Sequence, residues 1–282
     1  MDEPEPTRWI GRSETRHDLI GATPPAALDH APREWAPGTP LPPLWHWLYF
    51  LPLHRASELG ADGHAKLGGF LPPLPLPRRM WAGSRFEFIE PLRIGDAVKR
   101  VSTIENVAAK QGRSGPLVFV TVRHEVFAND AAAPALREWH DIVYRAAKQA
   151  GEAEPTAQPA PADAQFAREL TPDDVLLFRY SALTFNGHRI HYDRRYVTEV
   201  EGYPGLVVHG PLIATLLLDL LARERPDARL ARFAFKALRP SFDGRRLRVS
   251  GQPQDDGGLR LWAQDDEGWL AMDARAELFS RA

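Results

Sequence analysis

The chain has 282 residues, room for one large domain or two of ordinary size. It is 44% hydrophobic and 26% charged with a formal net charge of -2, which excludes a nucleic-acid binder working through a broad basic face. It holds no cysteine, so disulfides, thiolate nucleophiles and cysteine-ligated metals are excluded, and a reducing compartment fits.

The N-terminus, MDEPEPTRWIGRSETR, is acidic and has no apolar core, so it does not read as a secretory signal. The 26 prolines cluster in 24–43, 72–77 and 155–161, which marks those stretches as loops. A helix is predicted over Leu44 to Leu59, with Trp45, Trp47, Tyr49 and Phe50 as core aromatics. Arg78 and Arg79 follow a long proline-rich insert and suit either a solvated loop end or contact with phosphates. Strands are predicted at 84–90, 97–109, 116–128 and 137–147. In LVFVTVRHEVF, Val118, Val120 and Val122 fall on one face. Gly151 to Leu170, rich in Ala, Pro and acidic residues without an apolar period, reads as a linker.

Beyond it the order repeats. A helix is predicted from Pro211 to about Arg225, then strands at 231–239, 246–253, 258–265 and 268–279. RFEFIEPLRIGD from Arg85 matches RFAFKALRPSFD from Arg232. Both begin Arg-Phe-x-Phe, both carry a Leu-Arg pair, and both end in Asp, at Asp96 and Asp243. A helix followed by several strands, twice, predicts two units, each a curved antiparallel sheet crossed by a helix and joined edge to edge. The strongest apolar runs, Trp45 to Leu53 and Leu212 to Ala222, are too short to span a bilayer. The chain therefore reads as cytoplasmic, with neither a membrane nor a nucleic acid as partner.

Two polar islands carry the chemistry. The first, Phe178 to Asp193, gathers Asn186, His188, Arg189, His191, Tyr192 and Asp193. His191 is suited to moving a proton near neutral pH, and Asn186 to orienting a water or a carbonyl. The second runs YPGLVVHGPLIATLLLDLL. His209 and Gly210 precede Pro211, a residue favoured in the first turn of a helix. Free N–H groups at the start of this apolar helix suit a carbonyl oxygen that gains negative charge, and Gly210 lets a ligand approach the backbone. His209 reads equally as a plain polar residue near a helix start. Tyr192, Arg194 and Arg195 read as a solvated flank. His188 and His191, three apart with Asp193 following, lack a clear third and fourth ligand, so no metal is expected. No Gly-x-Ser-x-Gly, Gly-x-Gly-x-x-Gly or P-loop occurs, which argues against a serine hydrolase, a nicotinamide enzyme and a nucleotide hydrolase.

YSALTFNGHRIHYD followed by GLVVHGPLIATLLL resembles the MaoC-like hot-dog hydratases and dehydratases. The likeness is greatest to their double-hot-dog branch of type 2 hydroxyacyl-thioester dehydratases and mesaconyl-C4-CoA or itaconyl-CoA hydratases. Arg78 to Asp96 and Glu138 to Arg145 resemble the first, non-catalytic hot dog. The resemblance implies an α+β double hot-dog fold: two curved antiparallel sheets, each wrapped on a central helix. It places a non-catalytic unit over 1–150, a linker over 151–170 and a catalytic unit over 171–282. In the wider MaoC-like family the catalytic loop runs Asp-x-Asn-Pro-x-His-x-Asp. Laid without gaps, its histidine falls on His191 and its last Asp on Asp193, while its first Asp falls on Asn186, its Asn on His188 and its Pro on Arg189. Asparagine cannot accept a proton as a carboxylate can, which leaves His191 as the main acid/base.

The resemblance further implies a CoA or acyl-carrier thioester as substrate, no cofactor, and a pantetheine arm entering between the halves. Gly210 would hold the thioester oxygen, with His188, His209 and Pro211 in the same wall. Arg78 or Arg79 would pair with a second carboxylate on the acyl group. The function so implied is a hydro-lyase acting on a mesaconyl- or itaconyl-type enoyl-CoA. The alternatives are a 3-hydroxyacyl-carrier dehydratase of fatty-acid synthesis and a non-catalytic thioester-binding subunit, against which the retained His191 and Gly210 speak. A homodimer stays open.

Overall fold

The computed structural model describes residues 6–29, 34–112, 115–146 and 156–280. The first half contributes β1 (Ser13–Leu19), α1 (Thr23–Leu28), β2 (Arg78–Phe88), β3 (Ala97–Gly112), β4 (Gly115–Ala128) and β5 (Leu136–Arg145). The second contributes β6 (Phe166–Leu170), α2 (Asp174–Thr184), α3 (Arg194–Glu199), α4 (Gly210–Glu224), β7 (Leu230–Ala237), β8 (Leu247–Pro253), β9 (Leu259–Gln264) and β10 (Leu270–Leu278). Among the described residues no helix is long and apolar enough to cross a membrane.

The ten strands form one antiparallel sheet in the order β1-β3-β4-β5-β2-β7-β10-β9-β8-β6. Read outward from the middle, each half lists its strands in the same sequence, so the sheet carries the repeat seen in the chain. The matched motifs meet at the seam. Phe86 of β2 faces Phe233 of β7, and Glu87 faces Arg232. Their rings, with Phe235, lie 6.0 to 6.3 Å apart centroid to centroid, and Phe86 and Phe233 are almost fully buried. Joining two sheets here removes one open edge from each.

All eight expected strands form, with ends shifted by a few residues, except that the first begins six residues early, at Arg78. Two more were not expected. β1 and β6 are the outer strands, and their residues are all exposed or partly exposed, with no buried face. Charged edge strands lack the apolar alternation that reveals an inner one. Of the expected linker, residues 151–155 lie outside the described residues, and its end forms β6.

The helix predicted over Leu44 to Leu59 is not formed. A 3-10 turn, Trp45–Leu48, and a second one, Ala56–Glu58, stand there instead. Pro52 cannot donate to a helical ladder and pushes Leu51 out of the helical region, while Leu44 and Phe50 adopt positive φ. The aromatic residues still pack inward: Trp47 lies edge-on to Trp81 and to Phe86. In the second half, by contrast, α4 lies against β6, β8 and β9 and buries Leu212, Ile213, Leu217, Leu218, Leu220 and Leu221. An unbroken apolar helix fills the hollow of one half-sheet, and a short turn leaves that of the other partly open.

Candidate active site

The first island is built by a succession of local stops. Asp173 caps α2 by accepting the Leu176 N–H. The helix ends at Phe185 in the left-handed region, and the Asn186 N–H donates back to Ser181 O. A 3-10 turn over Arg189–His191 follows, then Asp193 caps α3 through the Tyr196 N–H and receives Arg189 in an ion pair. These stops aim His191 inward, and it is only 7% exposed.

His191 Nδ1 donates to Val207 O at 2.7 Å, which leaves Nε2 as the ring's acceptor. Its ring stacks on His209, centroids 3.7 Å apart. Burial lowers its pKa to about 4, partly opposed by the Val207 carbonyl, so the imidazole is neutral at physiological pH. His209 is completely buried and well below its ordinary pKa for the same reason. Its Nε2 hydrogen-bonds Ser181 Oγ at 2.8 Å, and its Nδ1 has no partner among the described residues.

His209 is the N-cap of α4, and Gly210 opens the helix. The first N–H groups of a helix have no partner within it, and here the dipole adds its positive end. A Cβ built on Gly210 meets no atom within 4 Å. The open space beside it is the cavity itself.

That cavity, about 1860 Å³, is lined by both halves: Asn186, His188, His191, Gly210 and Pro211 from the second, and Arg78, Arg79, Trp81 and His140 from the first. It exceeds a typical small-ligand pocket. Arg78 donates to the Tyr203 hydroxyl at 2.9 Å and so ties β2 to the second half.

The first half also supplies groups that the sequence did not single out. Glu138 is buried and receives His46 Nε2 at 3.1 Å, Trp47 Nε1 at 3.2 Å and Ser84 Oγ at 3.4 Å. Burial alone would raise its pKa, but the His46 bond and nearby imidazoles outweigh that and hold it at about 2. The His140 ring lies tilted against Trp81, centroids 4.0 Å apart, and His124 bonds Ser102 Oγ at 2.8 Å. Burial lowers His140 to about 4 and His124 to about 3. In the proline-rich insert, His64 Nδ1 pairs with Asp62 Oδ2 at 3.0 Å, and the His64 ring lies 4.0 Å from that of His188. Asp62, His64 and His188 each bring a ligand-type atom within 4.8 Å of the others.

Of the expected residues, Asn186, His188, His191, Gly210, Pro211, Arg78 and Arg79 line one cavity. Two expectations change. His209 does not line the wall but backs it, behind His191. Asn186 does not pair with His191: its Oδ1 accepts the His188 N–H at 3.0 Å. Arg194 and Arg195 sit on the exposed flank, paired with Asp243 and Glu199, as read from sequence. The missed groups lie about 40 to 130 residues before the first island; Glu138 and His140 fall in the stretch Glu138 to Arg145, His124 in a predicted strand and His46 in the predicted helix, and none of those patterns marked them as part of a site.

The sequence profile of the hydroxyacyl-thioester dehydratase type 2 family matches residues 44–243. The chain is 46% identical over 277 residues to a mesaconyl-C4-CoA hydratase of Chloroflexus aurantiacus, covering 96% of each. A MaoC-like dehydratase from Phytophthora capsici superposes with a TM-score of 0.67 at 12% identity over 100% of both chains. A Mycobacterium tuberculosis protein described as having a double hotdog fold superposes at 0.55 with 16% identity, covering 96% of each. At such identities the structures establish a shared fold, the double hot dog.

Proposed function

The chain belongs to the hydroxyacyl-thioester dehydratase type 2 family and is a hydro-lyase, and on that premise we propose that it hydrates a short mesaconyl- or itaconyl-type enoyl-CoA. The observation that carries this is His191, neutral, with Nδ1 held by Val207 O, set in the same cavity as the open N-terminus of α4. Water adds at Cβ, and Nε2 of His191 takes one of its protons and returns it to Cα. The electron pair displaced from the double bond gathers on the thioester oxygen, facing the Gly210 N–H. Asn186 keeps the His188 backbone in place, and Pro211 keeps the helix start open.

The acyl group we assign is short and polar. Glu138, His124 and His140 share the cavity wall, and a long alkyl chain there would lie against buried polar groups. Arg78 and Arg79 supply cations for a second carboxylate. This favours a dicarboxylyl-CoA over the fatty-acid reading. We read the protein as cytoplasmic, acting on a CoA thioester without a further cofactor, with a homodimer to be tested by light scattering.

Absorbance at the enoyl-thioester band tests the reaction with mesaconyl-C4-CoA and crotonyl-CoA. The wild type bleaches the band, and His191→Ala slows it by about 10²- to 10⁴-fold. Wild-type turnover by His191→Ala would overturn the site.

A further inference from the structure

The loop of the wider MaoC-like family places a carboxylate where this chain has Asn186, and the oxygen of Asn186 is already committed to the His188 N–H. Among the described residues, the second half thus offers His191 as an oriented acceptor with no carboxylate hydrogen-bonded to it. The insert of the first half brings one. Residues 58–66 form a small hairpin, with Gly60 N–H donating to His64 O at 2.7 Å and Lys66 N–H to Glu58 O at 2.8 Å. Its tip is fastened to the island: Arg189 N–H donates to Asp62 O at 2.9 Å, and Arg189 Nη1 to Ala61 O at 3.0 Å. Gly63, at φ +89, comes so close that a Cβ there would fall 1.9 Å from Gly187 O. This fastening brings the His64 ring against His188, which in turn lies 5.5 Å from His191.

The Asp62 carboxylate fixes the tautomer of His64. Hydrogen bonding from His64 holds Asp62 well below the usual carboxylate range, while burial keeps His64 below its ordinary pKa despite its partner. The pair is therefore an ionised carboxylate accepting Nδ1–H from a neutral imidazole, whose Nε2 is an acceptor. His64 and Asp62 line the same cavity as His191 and Gly210.

We propose that His64, oriented by Asp62, is a second catalytic residue, whose Nε2 holds the attacking water by one O–H while His191 takes the other proton. This rests on the hydratase reading of His191. The water oxygen bonds to Cβ, and the π pair moves toward Cα and the thioester oxygen. One proton passes to His191 Nε2 and from there to Cα as the carbonyl re-forms. The second hydrogen stays on the oxygen, donated to His64, and leaves as the product hydroxyl. No proton is gained or lost, and Asp62–His64 fills the place that Asn186 cannot.

The test is steady-state hydration of mesaconyl-C4-CoA and crotonyl-CoA by the full chain. His64→Leu is expected to lower kcat about 100-fold with KM within twofold, the scale of a misplaced reactant. His64→Gln, which offers an acceptor oxygen, should recover about tenfold of that loss. Gly63→Ala, which lifts the hairpin off Gly187, should lower kcat in the same sense. A His64→Leu enzyme within threefold of wild-type kcat sinks this assignment alone. So does a loss confined to KM, or a His64→Gln enzyme no faster than His64→Leu. Activity abolished by EDTA and restored by zinc would instead make Asp62, His64 and His188 metal ligands. A wild type that hydrates neither thioester brings down the hydratase reading and this one with it.

Discussion

His191 owes its character to contacts its own segment does not contain. The carbonyl that sets its tautomer belongs to Val207, and the ring stacked on it to His209, both beyond α3. Its position in a short island of polar residues was legible, because few sequences crowd Asn, two His, Arg, Tyr and Asp into such a span. The roles of Asn186 and His209 were not, because a hydrogen-bond partner is chosen by the fold rather than by spacing. Gly210 gives a sharp test at this scale. A methyl there meets no protein atom, so Gly210→Ala should leave thermal unfolding within a degree or two of wild type. It should nevertheless cut kcat/KM about 100-fold, since the methyl occupies the approach to the helix N–H groups. A comparable loss of melting temperature would show that the glycine serves packing instead.

At the scale of elements, α4 and the inner strands announce themselves and the edges do not. Leu212 to Ala222 is apolar nearly all round, which signals a buried helix, and the helix is found one residue from its predicted start. β1 and β6 pair along charged, exposed sequence with no apolar face, so periodicity has nothing to register. The helix expected over 44–59 fails at Pro52, an example of one residue outweighing an apolar run. The seam between β2 and β7 bears its own prediction. Phe86→Ala and Phe233→Ala should each destabilise by about 3–5 kcal/mol, as for other buried aromatic truncations. Because the two rings touch, the double variant should cost less than the sum. Denaturant titration checks both, and additive losses would mean that the seam is not one packed unit.

Over the whole molecule, the cavity collects neutral histidines that burial has depressed: His191 and His140 to about 4, His124 to about 3. Unfolded, each would titrate near the ordinary 6.5. Between those values the unfolded chain binds more protons, so stability is full above about pH 6.5 and is lost as pH falls toward and through 4. The free energy of unfolding should be flat from pH 7 to 8 and fall below pH 6, by on the order of 1 kcal/mol per histidine for each pH unit. The same sign governs activity. With His191 as the proposed base, kcat/KM should rise with pH through about 4 and level off by 6. An acid limb centred near 6.5 instead would place the working histidine in a wetter setting.

The sequence by itself determined the doubled order of strands, the paired Arg-Phe-x-Phe motifs, the buried helix with its glycine start, and His191. Each of these is built from local patterns of about a dozen residues, set by periodicity, proline and glycine placement or chemical crowding, and the doubled order is their succession along the chain. Only the tertiary structure decided that the two motifs lie face to face at the seam, and that one half-sheet is filled by a helix while the other stays open. It also brought Asp62 and His64 across from the insert and buried Glu138, His124 and His140 in the shared wall. Those outcomes depend on contacts between residues far apart in the chain, where burial and partner choice, not residue type, set the chemistry.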